Sequence, residues 1–466
     1  MSKFRIFLLC KLMIFPAAFV SAQNTAKPNV IIIMADDLDS KQLSCYGGQN
    51  IVTPNIDRLA KEGMKFNNIH ASETMCVPTR ASLFTGLYPV RHGSYQNHKA
   101  VYKDTKSIGH YLGDLGYEVA LTGKNHSTKP SSVFPFKIVN GFEPNCVSPT
   151  DDYTLGDVRK LISRREKPYC LFVMSINPHA PWTMGDPSEF NPDKLTLPDH
   201  WVDTPESRLQ FCKYLAEVRR LDNQVGDILK LVEEAGQEKN TLVIFMGEQG
   251  PQFPGGKWTL YSNGAKSSMI ARLPGKIKPG SQTDAIVQYE DVTPSLIDLA
   301  GGKPLGNLDG KSFLKVLTGK STQHRKYAYG IHNNIPEGPA FPMRSIRDGR
   351  YKLILNLTPG KNYYIKYSMN TANKKLVWTT WMEKAEHDAR AKELTNRISK
   401  HPAIEFYDTL KDPSELKNLA SEPAHQQRIK TFQIKLAEWM KQQGDTGADL
   451  DVEIANENKS NNSNEN

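Results

Sequence analysis

The chain has 466 residues, of which 39% are hydrophobic and 23% are charged, and its formal net charge at pH 7 is +9. This length can bury a large core and predicts one big domain together with a smaller one. The positive charge is spread among acidic residues, without the long basic block that a nucleic-acid surface requires. We therefore expect no nucleic-acid partner, whereas a mild positive field suits an anionic substrate.

Residues 1–22 are typical of a secretory signal peptide. Lys3 and Arg5 form its basic start, residues 6–20 are mostly apolar, and small residues precede a predicted cleavage after Ala22. No later stretch reaches the roughly 18 apolar residues of a membrane span. These features predict an exported protein, periplasmic or secreted, without a transmembrane segment.

Four apolar runs predict buried strands, and the segments between them show helical spacing. The run from Asn29 to Ala35 is continuous, as expected for a strand that is covered on both faces of a parallel sheet. Similar runs occupy residues 117–122, 171–176 and 241–246, and apolar residues from Leu209 onward predict a helix over 208–235. The alternation predicts an α/β fold with a large, mostly parallel sheet sandwiched by helices.

Polar side chains follow each of these four strands. They are Asp36 and Asp37 after the first, Lys124 and His126 after the second, His179 after the third, and Glu248 and Gln249 after the fourth. Because ligands of open α/β sheets bind at the carboxyl ends of the strands, we expect these side chains to surround one pocket. Adjacent carboxylates such as Asp36 and Asp37 repel each other unless a cation lies between them, and oxygen ligands suit Ca²⁺ or Mg²⁺.

The pattern changes from about residue 325. An alternating pattern through a glycine turn at 344–355 predicts two antiparallel strands, and an amphipathic helix is predicted near 425–442. Residues after 447 are rich in Asn, Glu and Ser and are expected to be disordered. The predicted divisions are a signal peptide at 1–22, an α/β domain at 28–325, an α+β subdomain with an antiparallel sheet and a helix at 326–446, and a tail at 447–466.

Six cysteines are present, and Cys10 leaves with the signal peptide. No Cys-x-x-Cys pair suggests zinc or redox chemistry. Cys170 lies in an apolar run and is predicted in the core. One disulfide among Cys45, Cys146 and Cys212 is an open alternative.

Cys76 differs from the other cysteines because of its neighbours. It precedes the helical run 81–87, and Arg80 lies one turn later on the same predicted helix face. A helix start with an arginine beside it is prepared for an anion.

The segment Cys76-Val-Pro-Thr-Arg80, followed by Ala-Ser-Leu-Phe-Thr-Gly-Leu-Tyr-Pro89, resembles the signature of the type I, formylglycine-dependent sulfatases of the alkaline phosphatase superfamily. The resemblance runs from about residue 28 to 445 and implies an alkaline-phosphatase-like fold. It further implies that a formylglycine-generating or sulfatase-maturating enzyme converts Cys76 to 3-oxoalanine (formylglycine). The implied ligands of one Ca²⁺ ion are Asp36, Asp37, Cys76, Glu248 and Gln249.

The same resemblance implies roles for the charged residues near Cys76. Formylglycine would be hydrated to a geminal diol, one hydroxyl of which attacks sulfur, and Arg80 would hold this nucleophile. Lys124 and Lys257 would contact sulfate oxygens. His126 would accept a proton from the diol, and His179 would protonate the leaving group.

Several further segments resemble the heparan N-sulfatase (sulfamidase) branch of this family. They are Tyr95–His98, Val133–Phe136, Phe253–Lys257 and Pro342–Arg344. The expected substrate is a sulfated polysaccharide or its oligosaccharides, either a glycosaminoglycan such as heparan or an algal polymer such as ulvan, with an N-sulfate as one alternative. The candidate sugar contacts are Arg91, His92, His98, His332 and Arg344.

One departure from the family pattern keeps alternatives open. Most members place an Asp followed by Asn or His where this chain has Glu248 and Gln249, so each side chain is one methylene longer. One alternative is a phosphodiesterase or phosphonate monoester hydrolase of the same superfamily. Another is a non-catalytic, glycan-binding pseudosulfatase that has lost its metal.

Overall fold

A nine-stranded sheet lies at the centre of the main domain in the computed structural model, which describes residues 27–303 and 305–452. The predicted signal peptide lies outside these residues. The strand order is β4-β3-β5-β1-β6-β7-β2-β8, with β9 paired to β2, and β7 is antiparallel to both of its neighbours. The strands of this sheet are β1 Asn29–Met34, β2 Met64–His70, β3 Glu118–Gly123, β4 Lys137–Ile138, β5 Tyr169–Met174, β6 Thr241–Met246, β7 Lys266–Arg272, β8 Ser281–Thr283 and β9 Val287–Gln288.

The central strands are buried on both faces, as the continuous apolar runs predict. In β1, Ile31 and Ile33 belong to the core on one face, while Val30, Ile32 and Met34 belong to the core on the other. Both faces must therefore be covered by helices, which agrees with the predicted parallel sheet.

Helices cover both faces of this sheet and flank the smaller one. They are α1 Pro54–Glu62, α2 Cys76–Thr85, α3 Pro89–His92, α4 Ile108–Asp114, α5 Gly156–Ile162, α6 Pro205–Glu234, α7 Ser262–Ala265, α8 Val292–Leu299, α9 Leu314–Leu317, α10 Lys366–Met369, α11 Val377–Ala385, α12 Ala389–Ser399 and α13 Gln426–Gln443. Among the helices of the described ranges, none is both long enough and apolar enough for a membrane crossing.

Helix α6 confirms the predicted helix over 208–235 but not the place of its first apolar residue. Leu215, Val218 and Leu221 are buried, whereas Leu209 is 49% exposed. Leu209 precedes Val218, the middle of these three residues, by nine positions, which at about 100° per residue places it on the opposite side of the helix. It therefore lies outside the apolar face.

The predicted C-terminal sheet is present as four antiparallel strands. They are β10 Ala328–His332, β11 Met343–Arg347, β12 Tyr351–Asn356 and β13 Ile404–Asp408, in that order, and α13 packs on them. The hairpin of β11 and β12 confirms the alternating pattern through the glycine turn.

The prediction of disorder from residue 447 is wrong for residues 447–452. Residues 448–452 are helical, and the carboxylate of Asp451 is buried. It accepts a hydrogen bond of 2.8 Å from the hydroxyl of Tyr95 and lies 3.3 Å from a guanidinium nitrogen of Arg344. A composition-based prediction misses this because one buried ion pair fixes the segment; residues 453–466 lie outside the described residues.

The cysteines of the described ranges are free, so the open alternative of a disulfide is not realised there. Cys170 is fully buried in β5 and confirms its predicted place in the core.

Candidate active site

The carboxyl ends of four parallel strands lie together at one edge of the large sheet. Strands β3, β5, β1 and β6 are neighbours in that order and run in the same direction. The residues that follow them are Lys124 after β3, His179 after β5, Asp36 and Asp37 after β1, and Glu248 and Gln249 after β6. The predicted convergence at one edge is therefore confirmed.

Hydrogen bonds to neighbouring loops hold the turn of Asp36 and Asp37. The backbone N–H of Asp36 donates to the carbonyl of Asn177 at 3.0 Å, which ties the end of β1 to the end of β5. Asp37 has a left-handed backbone, with φ at 57°, a conformation that Asp tolerates better than most residues. Its carbonyl accepts a hydrogen bond from the hydroxyl of Tyr214 on α6 at 3.2 Å. Both carboxylates are therefore fixed by the packing of three elements.

Cys76 is the first residue of α2 and is buried beside these carboxylates. Its Sγ lies 3.8 Å from Oδ1 of Asp36, and Nε2 of Gln249 lies 3.5 Å from Sγ. The positive end of the helix dipole faces this position, which favours negative charge there. The predicted helix start at Cys76 is confirmed.

Three buried cations pair with three buried carboxylates around Cys76. The pairs are Lys124 Nζ with Asp36 Oδ2 at 2.6 Å, Arg80 Nε with Glu248 Oε1 at 2.5 Å, and Lys257 Nζ with Asp37 Oδ2 at 2.9 Å. We call these six residues the Asp36 cluster. All are at most 4% exposed, so each charge depends on its partner in place of water.

The carboxylates of this cluster differ in their affinity for protons. Burial alone would raise the pKa of Asp36, but the charges of Lys124, His179 and Arg80 hold that pKa well below its usual value. Burial raises the pKa of Glu248 well above its usual value, and the charge of Arg80 opposes this only in part. Of the two carboxylates Asp36 and Glu248, Asp36 is therefore the one that is firmly ionised.

His179 lies at the edge of the Asp36 cluster. Its Nδ1 lies 2.5 Å from the carbonyl oxygen of Ala180, which assigns the proton to Nδ1 in the neutral ring. Its Nε2 lies 3.5 Å from Oδ2 of Asp37 and 3.3 Å from Nζ of Lys257. Because Nδ1 is engaged with Ala180, Nε2 is the atom that can exchange a proton with a ligand. Burial lowers the pKa of His179, which favours the neutral ring.

Lys124 and His126 diverge because β3 ends at Gly123, before either residue. Lys124 contacts Asp36, whereas the ring of His126 lies 3.7 Å from the sulfur of Cys146 and 6.3 Å from the ring of His98. The two-residue alternation of a strand therefore does not govern them. Burial lowers the pKa of His126 to about 3.

The donor atoms beside Cys76 fit a hard divalent cation. Asp36, Asp37, Cys76 and His179 offer ligand atoms that all lie within 4.8 Å of one another. Oε1 of Gln249 is buried and has no hydrogen-bond partner, while its Nε2 donates to Asp37 at 2.7 Å. Two carboxylates and an available amide oxygen are the ligand types that Ca²⁺ prefers.

A cleft of about 830 Å³ includes Cys76, Lys124, His179 and Lys257 in its lining. Several lining residues were missed by the sequence reasoning; they are Asn97, Trp182, Lys213, Phe253, Trp258 and Glu337. Asn97 and Phe253 lie inside the segments Tyr95–His98 and Phe253–Lys257 named above, so attention to whole segments would have found them. Glu337 lies alone in a loop rich in Pro and Gly, where no pattern marks it.

Of the predicted sugar contacts, His98 lines the cleft and Arg91 and His92 do not. Arg91 forms an ion pair with Asp309 at 2.8 Å. His92 is fully buried, with Nε2 3.1 Å from the hydroxyl of Ser82. These two residues stabilise the segment after α2, and their prediction as sugar contacts is corrected.

His332 and Arg344 are also predicted sugar contacts that do not line the cleft. His332 pairs with the carboxylate of Glu73 at 2.5 Å, and Arg344 pairs with Asp445 at 2.5 Å. All four of these side chains are buried, so His332 and Arg344 have no surface to offer a sugar. Both side chains are therefore held by partners inside the fold, His332 by a hydrogen bond and Arg344 by an ion pair.

Comparison with known proteins agrees with this geometry. The sulfatase family model matches residues 28–302, and the model of the C-terminal region of N-sulphoglucosamine sulphohydrolase matches residues 255–401. An ulvan-active sulfatase of Formosa agariphila is 33% identical over 441 residues, which cover 91% of this chain and 82% of that protein. Human N-sulphoglucosamine sulphohydrolase is 26% identical over 473 residues, which cover 89% of this chain and 90% of that protein.

A solved structure in complex with D-glucosamine-2-N,6-O-disulfate superposes with a TM-score of 0.68 at 21% identity, covering 90% of this chain and 99% of that one. At this identity the likeness shows the fold alone. The sulfatase family model, by contrast, covers more than half of the chain and contains Cys76 together with all four strand ends. The chain therefore belongs to the sulfatase family of sulfuric ester hydrolases.

Proposed function

We propose that this protein is an exported sulfatase that removes sulfate groups from a sulfated polysaccharide or its oligosaccharides, with formylglycine at position 76 and one bound Ca²⁺. The observation that carries the proposal is the place of Cys76. It begins α2, lines the cleft, and contacts the buried charges of the Asp36 cluster.

The cation would be held by Asp36, Asp37, Glu248, Gln249 and the oxidised side chain at position 76. The bound ion supplies positive charge to oxygens of the nucleophile and of sulfate, and formylglycine supplies the hydroxyl nucleophile of its hydrate. Three cations face three carboxylates in the Asp36 cluster, and burial favours the neutral form of one of them, Glu248, so the carboxylates do not outweigh the cations. A divalent ion therefore makes the site net positive, which suits a sulfate anion.

The chain's own cations and histidines then have distinct tasks. Lys124 and Lys257 both line the cleft and bind sulfate oxygens, and the N–H groups of the first turn of α2 add to this. Arg80, held by Glu248, fixes the side chain at position 76. Once Nε2 of His179 has been protonated, it gives this proton to the leaving sugar atom. His126 accepts a proton from the hydroxyl nucleophile.

The substrate class rests on the relatives and on the size of the cleft. The relatives at 33% and 26% identity are named for activity on ulvan and on N-sulphoglucosamine. A cleft of about 830 Å³ is far larger than one sulfate and has room for sugar units beside it. The proposal covers sulfate linked through oxygen or through nitrogen.

Export and maturation complete the proposal. The basic and apolar pattern of residues 1–22 supports secretion into the periplasm or beyond. Cys76 is only 4% exposed. A formylglycine-generating or sulfatase-maturating enzyme therefore has to act on it before the chain has folded.

The direct test combines mass spectrometry with assays of sulfate release. We expect the peptide containing residue 76 to carry an aldehyde when the chain is produced together with a formylglycine-generating enzyme. Screening heparan, chondroitin and ulvan oligosaccharides for released sulfate, with an aryl sulfate and a phosphodiester alongside, identifies the reaction. Cys76→Ala should abolish turnover, while the control Cys45→Ala should keep it. An unmodified thiol in active protein, or dominant phosphodiester hydrolysis, contradicts the proposal.

One observation favours a non-catalytic, glycan-binding function as the second candidate. Arg80 occupies one oxygen of Glu248, and the amide of Gln249 donates to Asp37, so these ligand groups already pair with one another. A protein of this kind would bind sulfated oligosaccharides without releasing sulfate. Unchanged oligosaccharides after incubation with the aldehyde-bearing protein, together with measurable binding, would favour this candidate.

A further inference from the structure

Glu337 and Asn97 form a polar pair in the cleft wall, outside the Asp36 cluster. Glu337 is 2% exposed and lies in the loop after β10, while Asn97 lies in the loop after α3. Both residues line the cleft, as does His98 beside them. No motif of the sequence analysis included Glu337, and the proposed reaction gives it no task.

The two loops are fixed to each other and to the helix of Cys76. Asn97 Nδ2 donates to Oε1 of Glu337 at 2.6 Å, and the backbone N–H of Asn97 donates to the carbonyl of Ile335 at 3.1 Å. Asn97 Oδ1 accepts from the backbone N–H of Val77 in the first turn of α2 at 3.2 Å. Glu337 is thus held at a set position relative to residue 76, as recognition of a substrate requires.

Only one of the two carboxylate oxygens of Glu337 accepts a hydrogen bond. Oε1 accepts from Asn97 and lies 3.6 Å from Nε2 of His98, whereas Oε2 is buried without a hydrogen-bond partner. Burial would raise the pKa of Glu337, but His98 and Asn97 hold that pKa below its usual value, so the group is charged. A buried charged oxygen without a donor is rare and costly, which indicates that a ligand completes it.

We propose that Glu337 determines specificity by accepting a hydrogen bond from a hydroxyl or ammonium group of the sulfated sugar unit. The proposal rests on the sulfatase function above. A hydroxyl or ammonium supplies the donor that Oε2 lacks. A second sulfate or a carboxylate at the same place offers no donor and is repelled by the buried charge. The enzyme therefore selects a sugar with an unsulfated donor group at that position.

The test compares saccharides that differ by one sulfate group. The probes are singly and doubly sulfated disaccharides from heparan sulfate and chondroitin sulfate, ulvan oligosaccharides, and 4-methylumbelliferyl sulfate as the sugar-free reference. Glu337→Gln keeps an acceptor oxygen for Asn97 but removes the charge, and Glu337→Ala removes both. Glu386→Gln makes the same charge change at an exposed site and serves as the control.

We expect Glu337→Gln to lower kcat/KM for the preferred saccharide by about 10- to 100-fold, with the aryl sulfate unchanged within about twofold. Its relative activity on the more highly sulfated partner should rise. A parallel loss on every substrate, or no change of preference, overturns the proposal and assigns Glu337 a structural role through Asn97.

A binding measurement keeps the test independent of turnover and folding. In the Cys76→Ala background, calorimetric titration of the preferred saccharide should show a weaker Kd by a similar factor when Glu337→Gln is added. An equal Kd overturns the proposal. If the parent enzyme releases sulfate from none of the substrates, the sulfatase function itself fails. If the parent releases sulfate and Glu337→Gln changes neither its substrate preference nor its affinity, only the role proposed for Glu337 fails, and the sulfatase function stands.

Discussion

Two buried charged side chains, Arg80 and Glu405, differ in how completely their own atoms are hydrogen-bonded, and each belongs to a group of buried polar residues. One group is the Asp36 cluster at the cleft, and the other, the Glu405 group, lies where β13 packs against the segment before α7. In the second group each oxygen of Glu405 accepts two hydrogen bonds. Oε1 accepts from Asn356 at 2.7 Å and from His401 at 3.0 Å, and Oε2 accepts from Tyr261 at 2.7 Å and from Tyr407 at 2.5 Å. Two neighbours of Glu405 also have an unpartnered atom, Oδ1 of Asn356 and Nε2 of His401, so the contrast concerns the charged groups themselves.

The Asp36 cluster is equally buried, but some polar atoms in it and beside it have no hydrogen-bond partner. Nη1 and Nη2 of Arg80 have no hydrogen-bond partner, and neither has Oε1 of Gln249, the residue next to Glu248. Native proteins rarely leave buried polar atoms in this state, so unpartnered atoms beside the cleft residues Cys76 and Lys124 are candidates for contact with a ligand. The difference teaches that burial of charge alone does not identify a functional site in this fold, whereas incomplete satisfaction at a cleft does.

The largest expected effect separates the two groups by activity. Asp36→Asn removes the firmly ionised carboxylate that pairs with Lys124 and that would bind the proposed cation, so we expect kcat to fall by about 10³-fold. Sulfate release from the preferred oligosaccharide measures this loss. Glu405→Gln should leave kcat unchanged within about twofold. Comparable losses in both variants would break the distinction.

The second effect separates the two groups by stability and by pH. Glu405→Gln puts an amide among four donors, and we expect a loss of about 3 kcal/mol in the free energy of unfolding at pH 7. The hydrogen-bonding environment holds the pKa of Glu405 at about 2, against 4.5 for the ordinary group. Its stabilisation is therefore complete above pH 4.5 and is lost as the pH falls through 2.

Denaturant unfolding of both proteins between pH 7 and pH 3 measures this contribution. The free-energy difference between the parent and Glu405→Gln should shrink toward the acid end of the range. A difference that stays constant with pH would show that Glu405 acts through packing and not through its charge.

The third effect concerns Glu290, a buried carboxylate that belongs to neither group. Its Oε1 accepts from Ser72, its Oε2 has no partner, and burial raises its pKa to about 7. Because the raised pKa disfavours the charged form in the folded state, the parent loses stability as the pH rises from 4.5 to 7. Glu290→Gln stays neutral and avoids that loss.

We expect Glu290→Gln to be about 3 kcal/mol more stable than the parent at pH 8 and nearly equal to it at pH 4.5. Unfolding midpoints at the two pH values measure the gain. Destabilisation at pH 8 would mean that the ionised carboxylate has a partner of its own, and Glu290 would then belong with Glu405.

The sequence predicts the Asp36 cluster far better than the residues that recognise the sugar. Asp36, Lys124, His179 and Glu248 follow apolar strands, and strand pairing brings them together whatever the loops do. His332 fails as a sugar contact because Glu73 meets it in the folded chain, and no sequence pattern reveals a partner 259 positions away. Strand ends are fixed by local periodicity, whereas loop contacts depend on the whole fold.

The smallest predicted effect is the response to calcium, and it tests directly whether the carboxylates of the Asp36 cluster and the unpartnered Oε1 of Gln249 bind a cation. A ligand that binds only the native state stabilises it, by about 2.7 kcal/mol at a concentration of 100 times Kd. After treatment with a chelator, titration with Ca²⁺ should therefore raise the unfolding midpoint of the parent. Glu405→Gln should show the same increment from a lower starting point, because its site is intact. Asp36→Asn should show none. An unchanged midpoint in the parent, or an equal response in Asp36→Asn, would mean that no calcium ion binds at the Asp36 cluster. The side chains of Glu248 and Gln249 would then be paired only with protein groups. Unpartnered buried atoms would in that case not distinguish a functional site from the Glu405 group.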